Sequence, residues 1–324
     1  MSHHLPVLAD EVIGFLAPTI SAQEPTFFLD CTLGGGGHTE QLLSLGESVF
    51  VVALDRDSVA VARAAEKLRK FGKRVLLIKA NFRHVRSVCQ SSEVQEFLSA
   101  SPECLFHGIL LDAGFSSDQL DDPSRGLSFF HDGPLDMRLD QSQDIKADDI
   151  VNRFEPSELR RVFRRGGLRD GAELLVKSIV SARPISGTKQ LAAICESALR
   201  PITRKKQRES SAHPATVPFQ AIRIAVNEEL EALEEFFSGA FELLKPHGRL
   251  AVISFHSLED KIVTNTMRQW EQGDPLSRKL PVPGKVVGRG SLLTKKAITP
   301  SPVEIGKNAR SRSAKLRVFE KGNV

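Results

Sequence analysis

Four consecutive glycines, residues 34–37, stand between an apolar run at residues 27–30 and a helical pattern. Glycines in such a place let the backbone turn sharply and approach a ligand, while the start of the helix offers free N–H groups. Asp55 ends the next apolar run, where a carboxylate can accept both hydroxyls of an adenosine ribose. Together these features predict a nucleotide-type cofactor, although the glycine loop alone fits a tight turn equally well.

The same features occur with NAD and with S-adenosylmethionine. The glycines do not follow the G-x-G-x-x-G pattern of dinucleotide sites, and Asp30 ends the strand directly before the loop. A carboxylate there would repel a pyrophosphate but suits the cationic methionine end of a sulfonium cofactor. The sequence therefore favours S-adenosylmethionine.

A second functional strand end is predicted at Asp112, after apolar residues 109–111. In amino-methyltransferases this strand end carries an Asn/Asp-Pro-Pro-Tyr type of motif, whose polar group accepts an N–H of the target amine and whose aromatic ring stacks on the flipped base. Asp112 and Phe115 repeat that spacing without the prolines, in a chain that has no tyrosine. We predict that Asp112 accepts an N–H of the amine and that Phe115 stacks on the base; the alternative for Asp112 is a strand-end cap.

Three further segments each allow two interpretations. Phe82 can flank an adenine or belong to the core at a strand end. Residues 131–140 carry carboxylates four apart, but they match no EF-hand, so we expect a loop folding over the active site and no metal. His256 and Ser257 can line the acceptor pocket or cap a helix that starts near Leu258.

Strand and helix patterns alternate along the first 112 residues, as in βαβ units with a parallel sheet. Strands are predicted at 27–30, 49–55, 75–78, 108–112, 249–255 and 315–319, a helix capped by Asp57 at 57–71, and a long helix at about 219–237. Residues 273–310 are rich in Pro, Gly, Lys and Arg and predict a long loop.

The strand signal stops between about residues 140 and 200, where helical patterns such as 156–165 and 172–182 follow one another. The predicted fold is an α/β Rossmann-like domain formed by residues 1–140 and 206–324, interrupted by an inserted helical domain at residues 141–205. We expect the insert to recognise the substrate.

Composition limits the setting of the protein. The 324 residues are 41% hydrophobic, which supports a packed interior. Four separated cysteines (Cys31, Cys89, Cys104 and Cys195) form no disulfide framework, and no apolar run is long enough for a bilayer span. We expect a cytoplasmic protein with no membrane partner.

The formal charge is only +4, but basic residues are concentrated at 278–321 and at 200–208. Such segments neutralise phosphates in nucleic-acid-binding proteins, or else form a basic surface that keeps the protein in solution. Charge alone does not separate these two interpretations.

The ordered motifs resemble the bacterial ribosomal RNA small-subunit methyltransferase H family, also called the MraW family. The resemblance covers nearly the whole chain. It is found at residues 4–8 (HLPVL), 34–38 (GGGGH), 53–57 (ALDRD), 108–121, 132–138 (DGPLDMR), 213–216 (HPAT), 219–223 (FQAIR), 253–260 (ISFHSLED) and 309–313 (ARSRS).

The resemblance implies a class I S-adenosylmethionine-dependent methyltransferase with a mostly parallel seven-stranded sheet. It implies methylation of the exocyclic N4 amine of a cytidine in the decoding region of 16S ribosomal RNA, within the small subunit. The implied cofactor contacts are Gly36, Gly37, His38, Asp55, Phe82, Asp112 and Gln119. Of these, His38 and Gln119 rest on the resemblance alone.

Two positions depart from the family pattern. Ala113 stands where leucine is usual, which bears on the shape of the acceptor pocket, and residues 166–170 (GGLRD) replace a common Tyr-Gly-Glu-Glu stretch.

The competing functions are an NAD oxidoreductase, a DNA or other RNA amine methyltransferase, and a binding module without catalysis. The sequence leaves open whether the protein is a monomer or a homodimer.

Overall fold

Seven strands of the described chain form one sheet. The computed structural model describes residues 6–21, 23–99, 105–114, 119–120, 122–206, 213–273 and 288–323. The strands are β1 (Thr26–Asp30), β2 (Val49–Asp55), β3 (Val75–Lys79), β4 (Phe106–Asp112), β5 (Leu244–Ser254), β6 (Gly290–Leu292) and β7 (Lys315–Lys321). Their order is β3-β2-β1-β4-β5-β7-β6, and β7 is antiparallel to both neighbours. The predicted class I, mostly parallel sheet is confirmed.

Side chains of the central strands alternate between the two faces of this sheet. In β1, Phe27 and Leu29 belong to one buried cluster, while Phe28 belongs to the cluster on the other face. Val52 and Val51 divide in the same way in β2. Both faces are buried, which explains why the strands appear in the sequence as continuous apolar runs.

In the described residues up to β4, one α-helix precedes β1 and four lie between the first four strands. They are α1 (Ala9–Leu16), α2 (Gly37–Leu43), α3 (Ser58–Leu68), α4 (Val85–Cys89) and α5 (Ser92–Phe97). Asp57 caps α3, as predicted, because its side chain accepts the N–H of Val59 at 2.9 Å. Within the described ranges, no helix has the length and apolar character needed to cross a bilayer.

The chain divides into two compact units, one of Met1–Gly114 with Leu230–Val324 and one of Phe115–Glu229. The second unit is helical and contains α6 (Ala147–Arg153), α7 (Pro156–Arg165), α8 (Ala172–Ala182), α9 (Thr188–Lys206) and α10 (Thr216–Asn227). The predicted insert, 141–205, lies inside it, but the unit is wider at both ends. The reason is packing, since Leu135 and Met137 before the insert and Phe219 and Ile222 after it are buried in the core of this unit.

Three helices follow in the described part of the remaining chain: α11 (Glu229–Ala240), α12 (Ser257–Gln272) and α13 (Pro302–Lys307). The prediction of one long helix at 219–237 was wrong, because α10 ends at Asn227 and α11 begins at Glu229. Glu228 between them has φ +48° in the left-handed region and donates its N–H to Ile224. The break occurs without glycine or proline, so the sequence carries no ordinary stop signal there.

The predicted loop at 273–310 also contains regular structure. Strand β6 pairs with the end of β7, and Ser301 caps α13 by accepting the N–H of Glu304. Residues 274–287 of that prediction lie outside the described chain.

Asn227 holds the segment before α6 in place. Its amide donates to the carbonyl of Met137 at 2.8 Å, and its carbonyl accepts the N–H of Leu139 at 2.9 Å. Met137 has φ +61°, a conformation that is costly for a side chain other than glycine. Asn227 is fully buried, so these bonds are made away from water and help to hold Met137 in that conformation.

We expect Asn227→Ala to lower the free energy of unfolding by about 2–4 kcal/mol, because it leaves a buried carbonyl and a buried N–H without partners. Urea unfolding followed by far-UV circular dichroism measures the change. Asn323→Ala is the matched control at an exposed position, where the expected change is within about 0.5 kcal/mol. Equal unfolding curves for the two variants would contradict the role given to Asn227.

Candidate cofactor and acceptor site

Three neighbouring parallel strands end in an aspartate at the same edge of the sheet. Asp30 ends β1, Asp55 ends β2 and Asp112 ends β4. The carboxyl ends of parallel strands form the usual ligand-binding edge of such sheets. The three predicted carboxylates are therefore brought to one edge, and the glycine loop begins there as well.

Asp55 connects the end of β2 to the glycine loop. Its Oδ2 accepts the N–H of Gly34 at 2.8 Å and its Oδ1 accepts the N–H of Asp57 at 2.9 Å. Burial raises the pKa of Asp55, while these two backbone hydrogen bonds oppose the rise. The carboxylate is thus fixed in orientation by donors from both sides.

The glycine loop itself needs glycine at defined positions. Gly34 and Gly36 have φ of +49° and +73°, which other residues rarely adopt. A Cβ on Gly36 would also press on Leu68 at 3.2 Å, and one on Gly37 would meet Pro6 at 3.1 Å. Helix α2 starts at Gly37, so its first free N–H groups lie beside the strand-end carboxylates.

Asp30 is fully buried and serves the protein scaffold. Thr39 donates its hydroxyl to Asp30 Oδ2 at 2.6 Å, and the N–H of Thr32 donates to Oδ1 at 3.1 Å. Burial is the main cause that raises the pKa of Asp30, and the nearby Asp112 adds to it. Sequence reasoning missed both threonines; for Thr39 the available signal was a hydroxyl residue in the first turn of the helix after the loop.

Asp112 stays partly accessible, with 20% of its side chain exposed. Its own N–H donates to the hydroxyl of Thr32 at 2.7 Å, and its Oδ1 accepts the N–H of Gly114 at 3.4 Å. Oδ2 lies 3.7 Å from Nε2 of His38. Asp112 therefore holds the turn after β4 and still offers one oxygen to a ligand.

His38 is the clearest sign that a polar ligand belongs at this edge. The imidazole is only 6% exposed, and neither ring nitrogen has a hydrogen-bond partner within the described residues. Leaving a buried polar group unpaired costs about 1–3 kcal/mol, so a ligand that pairs with it gains by that amount. The residues present fit a polar cofactor held at the start of α2.

Three further predicted site residues, Phe82, Gln119 and Phe115, lie in different parts of the chain. Phe82 follows β3, is half-buried and meets Phe236 edge to face at 5.8 Å between ring centroids, so it packs against the core and also borders this edge. Gln119 belongs to the second unit. Phe115 lies outside the described residues.

Two of the open alternatives concern other polar stretches. His256 caps α12, since its Nδ1 accepts the N–H of Glu259 while Glu259 accepts the N–H of His256. In the 131–140 stretch, Asp136 pairs with Arg138 at 2.8 Å and Asp132 accepts the N–H of Lys189 at 3.0 Å. These carboxylates serve the fold of their own segment.

Comparison with known proteins identifies relatives over the whole chain. The model of the MraW methylase family matches residues 1–322. Ribosomal RNA small subunit methyltransferase H of Carboxydothermus hydrogenoformans is 42% identical over 98% of this chain and 97% of that protein. The protein of the same name from Symbiobacterium thermophilum is 40% identical over 98% and 96%. The crystal structure of an rRNA methylase from Streptococcus thermophilus aligns at a TM-score of 0.41 with 11% identity, over 97% of this chain and 95% of that one, a likeness too distant to bear on function.

We expect Asp55→Asn to weaken binding of S-adenosylhomocysteine about tenfold or more. The two carboxylate oxygens of Asp55 accept the N–H groups of Gly34 and Asp57, whereas the amide of asparagine has only one oxygen acceptor. The negative charge that strengthens these hydrogen bonds is also lost. Isothermal titration calorimetry measures the dissociation constant. Asp57→Asn is the matched control, because asparagine caps a helix as well as aspartate does. Equal affinity of both variants would exclude Asp55 from the cofactor site.

Proposed function

This chain belongs to the MraW methylase family, and from that premise we propose that it transfers a methyl group to the exocyclic N4 amine of a cytidine in the decoding region of 16S ribosomal RNA. It is a ribosomal RNA methyltransferase whose cofactor is S-adenosylmethionine. The observation that supports the specific reaction best is Asp112, a partly exposed carboxylate at the end of β4 beside the unpaired imidazole of His38.

S-adenosylmethionine supplies an electrophilic methyl group. In this proposal Asp55 accepts the ribose hydroxyls, and the glycine loop with Gly36 and Gly37 lets the cofactor approach the backbone. His38 pairs with a polar group of the cofactor, which gives one of its two ring nitrogens a hydrogen-bond partner. Phe82 and Gln119 complete the proposed cofactor contacts, as the resemblance to the family implies.

Asp112 is proposed to accept an N–H of the target amine. An exocyclic amine conjugated to its ring is a weak nucleophile, so alignment with the methyl group matters most, and orientation of this kind supplies roughly 7–11 kcal/mol in favourable cases. Thr32 fixes the backbone of Asp112 and the N–H of Gly114 bonds to its Oδ1, so the carboxylate is held before the substrate arrives. Phe115 is proposed to stack on the cytosine. The proton leaves to solvent once the methylated amine has become acidic.

Direct transfer needs no protein nucleophile. Cys31 lies next to Asp30, at the same edge of the sheet, but burial raises the pKa of its thiol well above the ordinary value. Within the described residues Cys31, Cys89 and Cys195 are all buried and free, and burial raises the pKa of the last two to about 12. These thiols stay protonated at neutral pH and so do not compete for the methyl group.

The substrate partner is small-subunit ribosomal RNA, proposed to be bound within the small ribosomal subunit in the cytoplasm. The inserted helical segment, residues 141–205, is proposed to recognise that substrate. Its helix α7 carries four arginines in ten residues (PSELRRVFRR), a charge density suited to RNA phosphates. Assembly as a monomer or a homodimer is compatible with this function.

We expect Asp112→Ala to reduce methyl transfer about a hundredfold or more, because the acceptor that orients the amine is removed. The assay follows labelled methyl from S-adenosylmethionine into unmodified small subunits, with mass mapping of the product nucleoside. Glu96→Ala, at an exposed carboxylate of the first unit, is the control with unchanged activity. If Asp112→Ala produces N4-methylcytidine at the wild-type rate, Asp112 has no role in the reaction. If the wild type incorporates no label into small subunits, the substrate assignment is wrong.

A further inference from the structure

Phe130 is the most exposed large hydrophobic side chain of the described residues, at 76%. It lies in the second unit, in the segment that precedes the 132–138 motif. A ring so exposed adds little to the core and leaves aromatic surface in water, where it can stack on another flat ring. Phe130 is therefore a candidate for contact with a ligand.

The rings around Phe130 form a stack of three. Phe130 lies on Phe129 with 5.0 Å between centroids and 29° between planes, and His213 lies on Phe129 at 4.9 Å and 30°. Phe219 closes the stack against the core edge to face, at 5.0 Å and 69°. We call Phe130, Phe129 and His213 the ring stack. It presents flat π faces, with Phe130 outermost in exposure.

The backbone beneath the ring stack is held on both sides. Thr188 is fully buried, accepts the N–H of Gly133 at 3.0 Å and donates its hydroxyl to the carbonyl of His131 at 3.1 Å. A Cβ on Gly126 would come within 1.9 Å of the carbonyl oxygen of Pro134, so the backbone segments at Gly126 and Pro134 lie too close together for a side chain at position 126. The ring stack is thus preorganised, which lowers the entropy cost of binding.

Charged groups of both signs lie close to the ring stack. Nε2 of His213 lies 3.8 Å from Glu196, which also accepts a hydrogen bond from Arg200 at 2.7 Å. Glu196 and Arg200 line a cavity of about 440 Å³ along α9. Two residues after Phe130, Asp132 accepts the N–H of Lys189, and within the described residues no carboxylate pairs with the exposed Lys189 ammonium, a cation that suits a phosphate.

We propose that the ring stack is a stacking platform for an unpaired base of the ribosomal RNA, with Phe130 as the residue that touches the base. The inference rests on the proposed function for the identity of the RNA and extends it to a place on the second unit. Unpaired bases stack on aromatic side chains in single-stranded RNA recognition, and truncating one such side chain weakens binding by about fivefold to a hundredfold. Phe130 binds substrate and takes no part in methyl transfer.

The test compares Phe130→Leu, which keeps an apolar side chain but removes the π face, with Phe130→Trp, which enlarges it. We expect Phe130→Leu to raise KM for small subunits and the dissociation constant of a single-stranded decoding-region oligoribonucleotide by about fivefold or more, with kcat and S-adenosylhomocysteine affinity unchanged. Phe130→Trp should bind as tightly as the wild type or more tightly. Val303→Ala is the control at another exposed apolar position, outside the segment proposed to recognise the substrate.

A photochemical readout separates stacking from general apolar contact. RNA carrying 5-iodouridine should crosslink to the peptide containing Phe130, and Phe130→Leu should suppress that crosslink. Unchanged RNA affinity in Phe130→Leu, or crosslinks that map only elsewhere, would overturn the platform. If Phe130→Leu alters binding to subunits but not to naked RNA, the ring contacts ribosomal protein and the proposal fails. If the wild type methylates the RNA and Phe130→Leu binds RNA as tightly as the wild type, the platform is wrong and the proposed function stands. If RNA binding depends on Phe130 but the wild type does not methylate the RNA, the platform stands and the proposed reaction is wrong.

Discussion

The carboxylate of Asp55 makes the contact on which the cofactor edge depends. A buried carboxylate is costly unless donors surround it, and a sharp glycine loop has backbone N–H groups that need acceptors. The bonds from Gly34 and Asp57 satisfy both requirements together. These two hydrogen bonds fix the position of the glycine loop relative to β2, and the loop in turn sets the direction in which α2 begins.

A second chain of bonds ties the acceptor strand to the same frame. Thr39 holds Asp30, the N–H of Thr32 bonds to Asp30, and the hydroxyl of Thr32 holds the backbone of Asp112. The end of β1, the first turn of α2 and the end of β4 are therefore parts of one hydrogen-bonded network. This arrangement suits a reaction that depends on orientation, because each member fixes the angle of the next.

Local sequence signals predicted the first unit well. Apolar runs that end in Asp30, Asp55 and Asp112 mark strand ends because both sheet faces are covered, and Asp57 is a cap whose signal is purely local. The errors arise where distant contacts decide. No pattern near Glu228 announces the break between α10 and α11, and the unit boundary depends on Phe219 packing into a core formed largely by residues more than twenty positions earlier.

The same distinction applies to the site. Asp55, His38 and Asp112 were predicted because glycines, strand ends and a family resemblance mark them, and their roles as ligand contacts stay predictions. The ring stack was missed because it joins Phe129 to His213, more than eighty residues apart in sequence, through tertiary packing alone. A sequence shows an aromatic pair at 129–130, but only the fold shows that one ring packs against Phe219 and the other faces water.

Electrostatics at the cofactor edge favours a cationic ligand. Burial raises the pKa of Asp30 and of Asp55, and Asp112 raises the pKa of Asp30 further because like charges repel. A ligand cation near these groups stabilises their ionised forms and so lowers those pKa values again. Binding and proton release are then linked, and affinity for a cation rises with pH until the carboxyls are ionised without it. A pyrophosphate would act in the opposite direction, which is the physical reason that this edge suits a sulfonium cofactor better than a dinucleotide.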